Sequence, residues 1–429
     1  MTPSPDVTQA HWLRDIVLFL GGQIAALFGS SIVAYTVVWY ITLKTGSGSQ
    51  YALLMIASQL TQGLTSIPGG VWADRYWRKA LIMGADAATA VVTLALAIFF
   101  LTGHHDLWLI VVVLAMRGLS SGVQSPAINA ALPQLVPTRH LMRVNSINSA
   151  AQSVIFVAAP ALAAVLLATV PLGLIFLVDV AAIIVALFLL FFVRLPRLEH
   201  VVAENKPTGW RSYVHDTKEA IHALAQHPGL VRVAGIYAFL MCVLVPVTQL
   251  TPVFITRYFG PEQWMLAAAE ITWSVGMVIG GVIMSAWGGM RNRMALMMIV
   301  SGSWVILTAL LGASPNIWFF CVVMVSSGVF MPFLTANTVT ATQERIAPAV
   351  LGRVMSLFTL TMAVSGPIGM AVFGPLSDTV SLRLLCFIVA ACTGIFLIVL
   401  QLRGGPGAVL MAYSSPPEQN ETGENVELA

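Results

Sequence analysis

The chain has 429 residues, 58% of them hydrophobic and only 9% charged. A soluble domain carries about 25% charged residues, so this composition excludes a soluble protein and implies one that lives in a bilayer. A net charge of +3, with no basic patch interleaved with aromatics, gives no reason to expect a nucleic-acid partner.

The first fourteen residues are polar, and the apolar run after them is long enough to span rather than to be cleaved as a signal peptide. A hydrocarbon core about 30 Å thick needs roughly 20 apolar residues per helix. Runs of that kind predict twelve spans. Six occupy residues 16–43, 51–71, 80–101, 107–132, 147–170 and 172–193. Six more occupy 230–255, 264–287, 294–313, 317–341, 354–376 and 382–402. The expected fold is an all-α membrane protein with twelve transmembrane helices in two six-helix halves, 1–193 and 229–402. A cytoplasmic linker, 194–228, joins them, and a tail, 403–429, rich in Pro, Glu, Asn and Gly reads as disordered. Within the linker, residues 216–224 have helical character, ending at His227-Pro228-Gly229. Of its histidines, His215, His222 and His227 read as solvated rather than metal-bound. The four cysteines, Cys242, Cys321, Cys386 and Cys392, fall inside apolar runs without metal-ligand spacing and read as packing residues.

Orientation follows from the basic residues. With a cytoplasmic N-terminus, seventeen of the twenty-one lysines and arginines lie inside; only Lys44, Arg257 and Arg383 lie outside, and Arg117 falls within a span. Both termini and the linker are expected in the cytoplasm of a multi-pass cell-membrane protein.

The halves repeat weakly. Ser121-Gly122-x3-Pro126 in the fourth span matches Ser327-Gly328-x3-Pro332 in the tenth. Arg143-Val144-x-Ser146 matches Arg353-Val354-x-Ser356, and each next span contains a proline, Pro160 or Pro367. This order suggests a parallel repeat about an axis along the membrane normal, with a substrate cavity between the halves.

The densest charge cluster lies between spans two and three: Gly70-Val71-Trp72-Ala73-Asp74-Arg75-Tyr76-Trp77-Arg78-Lys79. It resembles the signature loop of the major facilitator superfamily, except that Trp77 stands where the signature prefers glycine. Gly84-Ala85-Asp86, Arg117 with 125–130, 160–164, Asp179 with 193–196, Glu270-Ile271 and Leu351-Gly352-Arg353 narrow the resemblance to the macrolide-efflux branch of drug:proton antiporters. It extends from about residue 39 to 378. The resemblance implies secondary active transport, namely proton-coupled efflux of hydrophobic or amphiphilic compounds by alternating access, of the kind that confers antibiotic resistance. An exporter of one specific metabolite, siderophore or lipid is the alternative. The implied partners are a small-molecule substrate and the lipid bilayer, for a chain working as a monomer. No cofactor is expected beyond a proton gradient as energy source.

Four ionisable residues lie inside predicted spans: Asp86, Arg117, Asp179 and Glu270. Each is costly against lipid and should face the bundle interior, as a candidate for proton coupling or substrate contact. At 1.5 Å per residue, Arg117 lies about 15 Å deep, Asp86 about 9 Å from the inner face, and Asp179 and Glu270 roughly 10 Å from the outer face. Asp86 and Arg117 could instead form a fixed ion pair. No basic residue lies at the depth of Asp179 or Glu270, which makes those two the stronger candidates. Gln23, Gln59, Gln62, Gln152, Gln249 and Asn337 are candidate hydrogen-bonding groups for a ligand, and Phe28, Trp39, Phe239, Trp273 and Met277 candidate contact surface. Pro126, Pro160, Pro332 and Pro367 are expected to let their helices bend. Gly70, Asp74, Arg75, Arg78 and Lys79 are expected to form a cytoplasmic gating loop, with Asp74 latching onto the second half. An enzyme is not expected: the spans carry no metal-ligand cluster, no Gly-x-Ser-x-Gly element and no nucleotide-binding loop.

Overall fold

A computed structural model describes residues 12–104, 106–196, 221, 228–290, 292–344, 346 and 348–403. Most of the linker, with His215, His222 and His227, the tail from residue 404, Arg291 and Arg345 lie outside the described residues. All regular structure among the described residues is α-helical. The helices are α1 (Trp12–Thr45), α2 (Gly48–Arg75), α3 (Arg78–Leu101), α4 (Leu107–Leu135), α5 (Thr138–Thr169), α6 (Leu172–Phe192), α7 (Pro228–Gln249), α8 (Thr251–Tyr258), α9 (Gln263–Trp287), α10 (Arg293–Gly312), α11 (Ile317–Gln343), α12 (Pro348–Thr379) and α13 (Leu382–Arg403).

Ten segments are long and apolar enough to cross a membrane, α7 and α8 counting together as one. Helices α2 and α12, of 28 and 32 residues, have the length as well. These are the twelve expected spans. The seventh differs in being broken at Leu250. Pro252 offers no N–H and its ring crowds the carbonyl of Thr248. The Thr251 hydroxyl donates to that same carbonyl at 2.6 Å. Turn chemistry sets other boundaries. Gly46, at φ +59°, leads into Ser47, whose hydroxyl accepts from Gln50 N at 3.3 Å and caps α2. Asn292 and Asn316 cap α10 and α11 in the same way, as expected for short polar side chains at helix starts.

The described residues group into two compact units. The first is Met1–Lys206 with Ile255–Ile271, the second Pro207–Phe254 with Thr272–Ala429. The segment Ile255–Ile271 thus groups with the first six helices; Arg257 Nε donates to Gly46 O at 2.7 Å there. In the first unit, α2 packs on α4, α6 on α1 and α3, and α5 on α1. Phe19, Ile82, Ala127 and Leu190 lie in its buried core. In the second, α7 packs on α12 and α13, and α10 on α11 and α13.

The α2–α4 seam is glycine-lined. A Cβ on Gly122 would stand 2.6 Å from Gln62 O, and one on Gly69 would stand 2.6 Å from Gly122 O. In the second unit Gly276 and Gly280 of α9 press on the backbone of α11 at Val325 and Val329, and Gly328 presses back on Trp273. The repeated Gly-x3-Pro element therefore marks one kind of close helix approach in each unit.

Candidate functional site

The charged loop lies at one end of the first unit. It comprises the last turn of α2, a two-residue link and the start of α3. Arg78 donates to Ala73 O at 2.9 Å and to Ala130 O of α4 at 2.8 Å. Lys79, 8% exposed, donates from its ammonium to Phe191 O at 2.8 Å and Val193 O at 2.9 Å. These carbonyls stand at the C-terminal end of α6, where helical N–H partners run out and a cation is favoured. Trp77 Nε1 donates to Leu195 O at 3.3 Å. The tryptophan that departs from the signature thus continues the same seam one step along the chain. Asp15 of α1, buried in the first turn, lies within electrostatic reach of Lys79.

Asp74 and Arg75 are exposed. Asp74 stands 3.8 Å from Arg78 across the two-residue link. Gly70 meets open space, whereas its neighbour Gly69 makes the close approach to α4.

Higher in the first unit, α1, α2, α3, α4 and α5 surround a cavity of about 290 Å³. Asp86 and Arg117 line it. The two do not form the ion pair considered from the sequence. Arg117 instead pairs with Asp179 of α6 at 2.5 Å. Depth along the helix does not reveal this pair, because a long arginine stem carries its charge well away from its Cα. Asp179 is 0% exposed and accepts a second hydrogen bond, from Ser30 of α1, at 3.1 Å. Arg117 also donates to the Thr93 hydroxyl of α3. Four helices are joined by this buried network, and its opposite charges compensate each other.

Asp86 is placed differently. It is 3% exposed, and its Oδ1 accepts from Gln124 Nε2 of α4 at 2.5 Å. Its Oδ2 is buried and has no hydrogen-bond partner. Gln23 Nε2, on the cavity wall, is also unpartnered. Gln62 and Gln152 line the same space. Ser30, Thr93, Gln124 and Asp15 were not singled out from the sequence. Hydroxyls and amides are common within apolar helices, and only helix rotation shows which of them meet a charge.

Glu270 of α9 is partly buried, within electrostatic reach of Tyr35 of α1 and Tyr51 of α2. Of the other ligand-contact candidates, Asn337 is 0% exposed and its Nδ2 donates to Arg293 O at 2.9 Å, a helix-to-helix tie. Trp39 is 1% exposed, and Phe239 stacks on Phe396 at 4.0 Å. Gln249 has a buried, unpartnered Oε1 at the α7 break. Pro126, Pro160, Pro332 and Pro367 all lie inside their helices, where each removes one backbone donor.

Known proteins place this arrangement. Residues 19–302 match the sequence model of the Major Facilitator Superfamily. The chain is 27% identical over 375 residues to macrolide efflux protein A of Streptococcus pyogenes, covering 87% of this chain and 92% of that one. It is 29% identical over 303 residues to the macrolide efflux protein A of Enterococcus faecalis, covering 70% and 93%. To the multidrug efflux pump Tap of Mycobacterium tuberculosis it is 24% identical over 400 residues, covering 89% and 91%. Among solved structures, the nucleoside transporter NupG superposes with a TM-score of 0.66 at 14% identity, covering 92% of this chain and 99% of that one. A POT family transporter superposes with a TM-score of 0.70 at 12% identity, covering 92% and 96%. With the charged loop, the paired units of apolar helices and the match over most of the first unit and into the second, the chain belongs to the Major Facilitator Superfamily.

Proposed function

We propose that this chain is a proton-coupled exporter of hydrophobic or amphiphilic compounds, macrolides among them, working by alternating access as a monomer in the cell membrane. The observation that carries the reading is Asp86, a buried carboxylate with one oxygen unpaired beside a cavity inside membrane-spanning helices. Such a group is expensive in a bilayer unless it does a job. A proton can neutralise it while the cavity faces one side and leave when it faces the other. Arg117 and Asp179 hold the frame around it. Glu270, near the outer end of α9, is a second proton-accepting group. The similarity to macrolide and multidrug efflux proteins supports the direction of transport and the substrate class.

The test is uptake of a macrolide or a fluorescent dye into inside-out vesicles in which the proton gradient can be collapsed. Accumulation should rise severalfold with the gradient and vanish with a protonophore. Glu270→Gln should lose the driven component while inserting normally. Uptake that persists without a gradient would refute proton coupling. A single transported metabolite, uncontested by unrelated drugs, would favour the narrower exporter instead.

A further inference from the structure

The charge balance of the cavity says more than that a carboxylate is present. Arg117 is compensated by Asp179, whose second oxygen is held by Ser30. That leaves Asp86 as the uncompensated charge facing the space, with Gln124 on Oδ1 and nothing on Oδ2. Around it stand six carboxamides: Gln23, Gln62, Gln124, Asn129, Asn148 and Gln152. Among the described residues that line the cavity, none is aromatic.

These features separate two kinds of organic cation. A quaternary ammonium has no N–H to donate, and proteins hold it mainly against aromatic faces. A protonated primary, secondary or tertiary amine carries at least one N–H⁺. It can donate a charge-assisted bond to a carboxylate oxygen and further bonds to amide carbonyls. We propose that this cavity is the docking site for a protonated amine on the exported compound, with Asp86 Oδ2 as the acceptor, and that it discriminates against quaternary ammonium ions. A volume of about 290 Å³ suits an amine-bearing end group rather than a whole large amphiphile. The unpartnered Gln23 Nε2 at the wall is a donor, available to an acceptor elsewhere on the compound rather than to the ammonium itself. This inference rests on the export reading and adds the chemistry by which substrates are chosen.

The test compares an amphiphilic tertiary amine with its N-methylated quaternary analogue and with a neutral analogue lacking the nitrogen. Each is measured for export by vesicles and for binding to the purified protein in lipid nanodiscs. The wild-type protein should bind and export the tertiary amine at a concentration at least about tenfold lower than the quaternary ion, a difference of the size of one charge-assisted bond. Asp86→Asn should erase that preference in the nanodisc binding measurement, which does not depend on proton coupling. Equal handling of amine and quaternary ion by the wild type, which needs no variant, overturns the proposal. So does an Asp86→Asn protein that keeps the preference. If the neutral analogue is exported but the amine preference is missing, only this inference fails. If none of the three is exported, the export reading fails, while the nanodisc binding still decides the amine site.

Discussion

Removing the Arg117 side chain would leave Asp179, 0% exposed, as a lone carboxylate among apolar helices. Breaking a buried pair from one side costs about 3–5 kcal/mol, whereas replacing both charges by apolar groups is often nearly neutral. Arg117→Leu is therefore expected to lower the melting temperature of the detergent-purified protein sharply, and adding Asp179→Leu to restore most of it. A double variant no more stable than the single one would show that the pair does not act as a unit. The need for buried charges to face the interior was legible in the sequence. The identity of Arg117's partner was not, because pairing depends on how α4 and α6 are rotated and how far an arginine stem reaches. Ser30 and Thr93 were hidden for the same reason.

At the scale of helices, close approach decides which glycines matter. A Cβ on Gly69 would meet Gly122 O at 2.6 Å and Val123 Cα at 2.9 Å, while one on Gly70 meets nothing within 4 Å. Gly69→Ala should force α2 from α4 and cost about 1–3 kcal/mol. Gly70→Ala should be neutral or stabilise α2 by up to about 1 kcal/mol. Thermal unfolding of the two variants side by side checks this, and equal destabilisation would count against the seam. The signature motif points the eye to Gly70; the packing singles out its neighbour. The break at Leu250 was half-legible, since Pro252 was in plain view within the expected seventh span. What the apolar run did not show was that the Thr251 hydroxyl would take over the Thr248 carbonyl and let the helix end there.

For the molecule as a whole, twelve crossings and an internal repeat followed from run length and from the Gly-x3-Pro pattern, because apolar length is set by bilayer thickness. The grouping of Ile255–Ile271 with the first unit has no signature in composition. It depends on contacts such as Arg257 to Gly46 between residues far apart in the chain. The bias of basic residues predicts the orientation. In a protein whose four native cysteines are replaced, a cysteine at Lys44 should react with a membrane-impermeant maleimide on intact cells. A cysteine at Arg139 should react only after lysis. The opposite pattern would invert the topology.

The bonds from Lys79 to the end of α6 have a consequence for biosynthesis. The acceptors at Phe191 and Val193 lie 112 and 114 residues downstream of the ammonium they hold. Chains are made and folded from the N-terminus, so α3 enters the bilayer before its anchor exists. Emergence of α6 is then the event that completes the Lys79 contacts at this end of the first six helices. That completion comes before most of the second unit has left the ribosome.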